Sequence, residues 1–239
     1  MLKSALESVN NFLERISGLR MQPSSESRLS ASRSKILNLQ PISLVVDVGA
    51  NSGQWAKRIR RDGYQGEIWS FEPTNKFTEL QNNSSVDKKW RVFNLALGNE
   101  EGHHEMFLSS NDGLSSSLLE PSGIRDHHPS IDFHARQVVA VSTLDTQLEL
   151  NESPFYLKVD TQGGEELVLN GAQKVLNRCL AIEFESALIP LYKNEALHYQ
   201  LANQLLGLGF SPAQIAITHW DSDLRTISLD CIFVRGERR

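Results

Sequence analysis

Ile42-Ser43-Leu44-Val45-Val46-Asp47-Val48 runs directly into Gly49-Ala50-Asn51-Ser52-Gly53. The first seven residues are nearly all apolar and mostly β-branched, the pattern of a strand buried on both faces of a parallel sheet. The five that follow form a glycine-rich turn, where the backbone can approach a ligand because glycine has no Cβ and tolerates positive φ. A helix is expected through Trp55, Ile59 and Arg60, ending near Gly63. Glu67 to Phe71 reads as a second strand, Lys76 to Gln81 as the start of a second helix, and Trp90 to Leu95 as a third strand. Strand–helix–strand–helix–strand predicts a doubly wound α/β fold.

The same pattern resumes further on. Pro154 to Asp160 predicts a fourth core strand, Gly164 to Leu176 a helix, and Leu180 to Glu185 a fifth strand. A helix over Glu195 to Leu208 precedes a terminal pair at Ile215 to Thr218 and Ile227 to Val234. The sheet is therefore expected to be mostly parallel, with an antiparallel C-terminal strand. Between the two halves, Gly102 to Leu108 and Gln137 to Val141 read as added strands. Ser109 to His134 is polar and rich in Ser, Gly, Pro and His. A structureless segment of that length is unusual inside a domain and often serves as a lid.

Upstream, Leu2, Leu6, Val9, Leu13, Ile16 and Leu19 fall at helical spacing and predict an amphipathic helix that packs on the domain or on a second copy. Gln22 to Ser34 is rich in Ser and Arg and reads as a flexible linker. The expected division is residues 1–40 for helix and linker and residues 41–239 for the α/β domain.

Composition limits the function classes. Of the 239 residues, 40% are hydrophobic and 22% charged, as in an ordinary soluble globular chain. A formal net charge of −5 offers no footprint for nucleic acid. Cys179 and Cys231 sit inside apolar runs, as buried hydrophobes do, which points to a reducing compartment rather than a disulfide framework. No apolar run is long enough to span a bilayer and no signal peptide is apparent, so a cytoplasmic location is expected.

The turn favours a nucleoside over a dinucleotide. Gly49, Asn51 and Gly53 are followed by Gln54 where a dinucleotide fingerprint would carry its third glycine. Glu72, at the end of the second strand, is placed to accept hydrogen bonds from both hydroxyls of a ribose. Asn94-Leu95-Ala96-Leu97-Gly98 ends the third strand, and Ala96 is small enough for a base to stack upon.

With these residues placed, the chain resembles the FkbM family of methyltransferases from Val45 to about Val234. The resemblance rests on Val46 to Gly53, Phe71-Glu72-Pro73, Asn94 to Gly98, Ser115-Ser116-Ser117-Leu118 and Thr143-Leu144-Asp145. The stretch from Leu157-Lys158-Val159-Asp160-Thr161-Gln162-Gly163-Gly164-Glu165 to Leu169-Asn170-Gly171-Ala172 is its most specific part. It implies a Rossmann-like methyltransferase fold, S-adenosylmethionine as cofactor, and O-methylation, often of sugar hydroxyls in glycans or glycosylated metabolites. Asp47 is then expected to face the amino end of the cofactor, directly or through water, with Gly49, Ala50, Asn51, Gly53, Glu72, Asn94, Ala96 and Asp160 around it.

A sugar hydroxyl is a poor nucleophile, so a positioned base should help as its proton leaves. Asp160 ends the fourth strand at the ligand-binding edge of such sheets and forms a polar cluster with Lys158, Gln162 and Glu165. Asp160, Glu165 and Glu183 are the catalytic candidates, and Glu165 has the alternative of only charging the first turn of its helix. Glu183 and Glu185 alternate with Ile182 and Phe184, where a buried charge must be paired or functional. Glu183 with Asp160 could in principle hold a divalent cation, but no tight carboxylate cluster supports one, and no metal is expected. His127, His128 and His134 offer a base delivered by the polar loop. A nicotinamide-dependent oxidoreductase and a non-catalytic interaction module, using the N-terminal helix, are the competing readings.

Overall fold

The computed structural model describes residues 25–236. The amphipathic N-terminal segment read at residues 1–19, and any pairing of copies through it, lie outside the described residues. The chain begins with helix α1 (Ser25–Leu39) and continues β1 (Leu44–Val48), α2 (Gln54–Arg61), β2 (Glu67–Phe71), α3 (Phe77–Ser84) and β3 (Trp90–Phe93). Next come β4 (Ala96–Leu97), β5 (Gly102–Leu108), α4 (Ile124–His127), β6 (Ala135–Ser142) and α5 (Leu144–Gln147). Then follow β7 (Phe155–Val159), α6 (Glu165–Asn170), a 3-10 turn (Val175–Arg178), β8 (Cys179–Ala187), α7 (His198–Gly207), β9 (Phe210–Trp220) and β10 (Thr226–Arg235).

Seven strands form the main sheet in the order β3-β2-β1-β7-β8-β10-β9. β10 runs antiparallel to both its neighbours, and the remaining pairs are parallel. The mostly parallel sheet with an antiparallel C-terminal strand is as the sequence predicts. Every residue of β1 and β7 is buried, which is why both read as unbroken apolar runs. Val46, Val48, Leu157, Val159, Ile182 and Phe184 pack on one face of the sheet, and Val45, Tyr156 and Ala181 on the other.

Strand order reverses between β1 and β7, so the chain leaves the two strands in opposite directions and opens a crevice at their carboxyl ends. A second sheet, β4-β6-β5, stands beside it. The long segment after β5 is not structureless. Phe107 bridges Ser117, Pro121 bridges Tyr192, and α4 follows within the same segment. Its serines are bonded inward: Ser109 N–H donates to Ser116 Oγ at 3.1 Å and Ser115 N–H to Ser109 Oγ at 3.0 Å.

The Ser-rich linker expectation needs correction, because from Ser25 onward that segment is α1. Leu29, Arg33 and Leu37 recur every four residues and are all buried. Leu29 packs with Ala216 and Ile232, so α1 lies on β9 and β10 as part of the domain.

Candidate active site

The glycine turn after β1 is shaped by its neighbour after β7. Gly49 has φ of +75°, and a Cβ there would lie 1.8 Å from the Asp160 carbonyl oxygen, so no other residue fits without moving the β7 turn. Asp160 N–H donates to the Val48 carbonyl at 3.0 Å, joining the two strand ends. Gly53 has a different task from the one expected of it. A Cβ at Gly53 would meet the Trp90 ring at 2.7 Å, so this glycine serves packing and does not line the cavity.

A cavity with about 680 Å³ of space, partly open to solvent, lies over the carboxyl ends of β1, β2 and β7. Gly49, Asn51, Glu72, Ala96 and Asp160, all expected around the cofactor, line it. Glu72 is buried at the end of β2, where Oε2 accepts the Asn51 N–H at 2.8 Å. Its Oε1 accepts from the Thr74 N–H at 2.9 Å and the Thr74 hydroxyl at 2.6 Å. Since an ionised carboxylate has about four acceptor positions, Glu72 keeps capacity for a ligand hydroxyl. Leu95, Ala96, Leu97, Met106 and Leu118 give the cavity an apolar side suited to a flat base. Leu114, Ser116 and Leu118 come from the polar loop, which therefore covers the cavity. Sequence reasoning missed Met106 and Leu114 altogether; Met106 reaches the site through β5, whose pairing with β6 no local motif announces.

Beneath the turn runs a buried polar row. The strand register sets Ser70, Asp47, Lys158 and Glu183 side by side across β2, β1, β7 and β8. Trp90 Nε1 donates to Ser70 Oγ at 2.9 Å, and Ser70 donates to Asp47 Oδ2 at 3.0 Å. Lys158 Nζ lies 3.4 Å from Asp47 Oδ1, 3.4 Å from Asp160 Oδ2 and 3.2 Å from the Gly49 carbonyl oxygen. Burial works against the Lys158 charge, but Asp160 and Asp47 outweigh it and hold the ammonium above the usual lysine range. Asp47, expected to face the amino end of the cofactor, is fully enclosed and lies beside Lys158, which it anchors.

Four further candidates move. Asn94 is exposed and donates to the Glu72 carbonyl at 3.1 Å, tying β2 to β3 rather than lining the cavity. Ala50 lines a second, adjoining cleft. Glu165 is buried, and its Oε1 accepts the Thr161 N–H at 2.8 Å and hydroxyl at 3.1 Å, bracing the turn after β7. Burial pushes its carboxyl up to about 8.

Glu183 lines the adjoining cleft, but its oxygens are committed to other side chains. It accepts from Arg33 Nε at 2.7 Å and Nη2 at 2.5 Å, from the Tyr156 hydroxyl at 2.6 Å, and from Trp55 Nε1 at 3.3 Å. That commitment also removes it from any cation shared with Asp160. Among the described residues no group of three or more His, Cys, Asp or Glu is arranged to hold a metal ion. His127, His128 and His134 line neither cavity; His128 packs edge-on against His219 at 5.5 Å. Asp160 alone of the three catalytic candidates is at the opening, its side chain 38% exposed and its Oδ1 accepting from Gln162 Nε2 at 2.9 Å.

Residues 47–212 match the methyltransferase FkbM domain. The chain belongs to the FkbM methyltransferase family. Its cofactor is S-adenosylmethionine, and the cavity suits it, with a carboxylate for the ribose, an apolar slot for the base and a tight turn at the strand ends. The 2-O-methyltransferase NoeI of Sinorhizobium fredii (strain NBRC 101917 / NGR234) is 24% identical to this FkbM methyltransferase over 166 residues, 65% of this chain and 68% of its own length. An rRNA methylase from Streptococcus thermophilus has the same fold, with a TM-score of 0.50 at 10% identity, over 91% of this chain and 99% of its own. The family assignment removes the oxidoreductase and the non-catalytic module. Among the described residues no helix is long and apolar enough to cross a membrane.

Proposed function

We propose that this FkbM methyltransferase is an O-methyltransferase whose acceptor is a sugar hydroxyl of a glycan or glycosylated metabolite. The observation that carries the reading is a second cleft, about 870 Å³ and open to solvent, that meets the cofactor cavity at Gly49, Asn51, Leu114 and Asp160. Its remaining walls are largely polar, as a hydroxylated acceptor requires. The likeness to a 2-O-methyltransferase supports the same reading.

S-adenosylmethionine supplies a methyl group already activated by its sulfonium. The chain's part is alignment, exclusion of water and removal of one proton. Glu72 would accept a hydrogen bond from a ribose hydroxyl through its remaining lone pair, and the Leu95–Leu97 segment with Met106 would enclose the base. Asp160 stands where the two cavities meet, and there it would take the proton of the acceptor hydroxyl as that oxygen receives the methyl group. Lys158 and Gln162 hold that carboxylate in place.

Incubation with methyl-labelled S-adenosylmethionine and a panel of methyl glycosides, phenols and amines tests the acceptor class. Label on glycoside oxygen is expected, and label only on nitrogen or carbon would overturn the proposal. Glu72→Ala should weaken S-adenosylhomocysteine binding about tenfold or more in calorimetry, and Asp160→Asn should lower turnover with little change in that affinity. Negligible effects from both would mean the site is misplaced.

A further inference from the structure

Helix α1 lies before the span matched by the family, yet it forms a wall of the cleft opposite the cofactor cavity. Its Arg33 is 2% exposed and crosses to β8 to pair with Glu183 through two guanidinium nitrogens. The same guanidinium lies over the Trp55 ring, 5.3 Å from its centroid, and Trp55 stacks on Tyr156 at 6.1 Å. Arg33, Trp55 and Glu183 all line the cleft.

We propose that Arg33 is a positioning residue that selects the acceptor, by holding Glu183 and Trp55 as one fixed, charge-balanced wall of the cleft. This deepens the acceptor reading above and rests on it. Glu183 receives four hydrogen bonds, two from Arg33 and one each from Tyr156 and Trp55. Those donors use about the whole accepting capacity of a carboxylate, so none is left for an acceptor group. The wall therefore presents a fixed indole and a neutralised pair, which suits an uncharged, polyhydroxylated molecule. Without the guanidinium, a carboxylate at the cleft surface would lack its cation and Trp55 would lose a ring contact. The cleft would change in both charge and shape while the cofactor cavity, which none of the three residues lines, would stay as it is.

The test compares wild type with Arg33→Lys and with the double variant Arg33→Met/Glu183→Gln, which removes the pair without leaving a lone buried charge. Calorimetry with S-adenosylhomocysteine and thermal unfolding are read beside steady-state methyl transfer to the glycosides, phenols and amines. In the double variant the acceptor KM should rise about tenfold or more, kcat should change less, and S-adenosylhomocysteine affinity should stay within about twofold. Arg33→Lys should recover part of the loss, since it keeps the charge and loses the bidentate fork. An unchanged acceptor KM in the double variant overturns the proposal, and so does a parallel loss of S-adenosylhomocysteine affinity. Wild-type transfer to phenols or amines but to no glycoside counts against the carbohydrate reading alone, because the same KM comparison is then made on the acceptor that turns over.

Discussion

Glu165 shows how a carboxylate at the edge of an active site can be there for the fold. The first turn of a helix favours a negative charge, and a sequence reading that places Glu165 there expects it ionised. Burial opposes this more strongly and raises its carboxyl from 4.5 to about 8. The folded state then holds a proton that the unfolded chain has released at neutral pH. For a group raised in this way, stability is fullest below about 4.5 and declines as pH rises towards about 8. Glu165→Gln keeps an oxygen for the Thr161 N–H and hydroxyl but cannot ionise. The variant should match wild type near pH 5 and exceed it near pH 8, by on the order of a few kcal/mol at about 1.4 kcal/mol per pH unit. Urea unfolding at the two pH values checks this, and an offset that is the same at both would show that Glu165 is ionised in the fold.

The polar loop between β5 and β6 is buried at Ser115, Ser116 and Ser117, but its tip at Asp112 is tied over the cofactor cavity by exposed contacts. Asn51 donates its amide to the Asp112 carbonyl at 3.2 Å, and Lys76, beside the start of α3, pairs with the Asp112 carboxylate. An exposed pair of this kind contributes about 0–1 kcal/mol, so Asp112→Ala should speed S-adenosylhomocysteine dissociation by roughly two- to fivefold. Stopped-flow release from the loaded enzyme measures it, and an unchanged rate would make the loop a fixed wall rather than a lid. The order in this loop was hidden from the sequence because it rests on serine hydroxyls bonding backbone N–H groups, which leaves no apolar period. β1, β2, β7 and β8 were legible for the opposite reason: their burial writes itself directly into their apolar residues. The cofactor residues at strand ends followed from them, whereas the partners of Glu183 did not. Arg33 is 150 positions away from Glu183, and nothing local in either segment reveals the pairing.

Sheet order brings these parts into one molecule. The reversal between β1 and β7 opens the crevice, and β10, entering antiparallel between β8 and β9, widens the sheet on the side of the second cleft. α1 covers that widened part with Leu29 on Ala216 and Ile232 and with Arg33 on Glu183. A helix so rich in serine and so short of apolar residues has little reason to form alone, and its stability comes from tertiary contact. It should therefore unfold with the sheet and not before it. Removing one partner of a buried ion pair costs about 3–5 kcal/mol, so Arg33→Met alone should be far less stable than the double variant that also neutralises Glu183. Hydrogen exchange then separates a wall of the domain from an appendage. Amides from Leu29 to Leu37 should be protected to nearly the same degree as those of β10, and both should lose protection together in Arg33→Met. Exchange in α1 that is orders of magnitude faster than in β10 would mean that the helix opens independently, and Arg33 could then not fix the cleft.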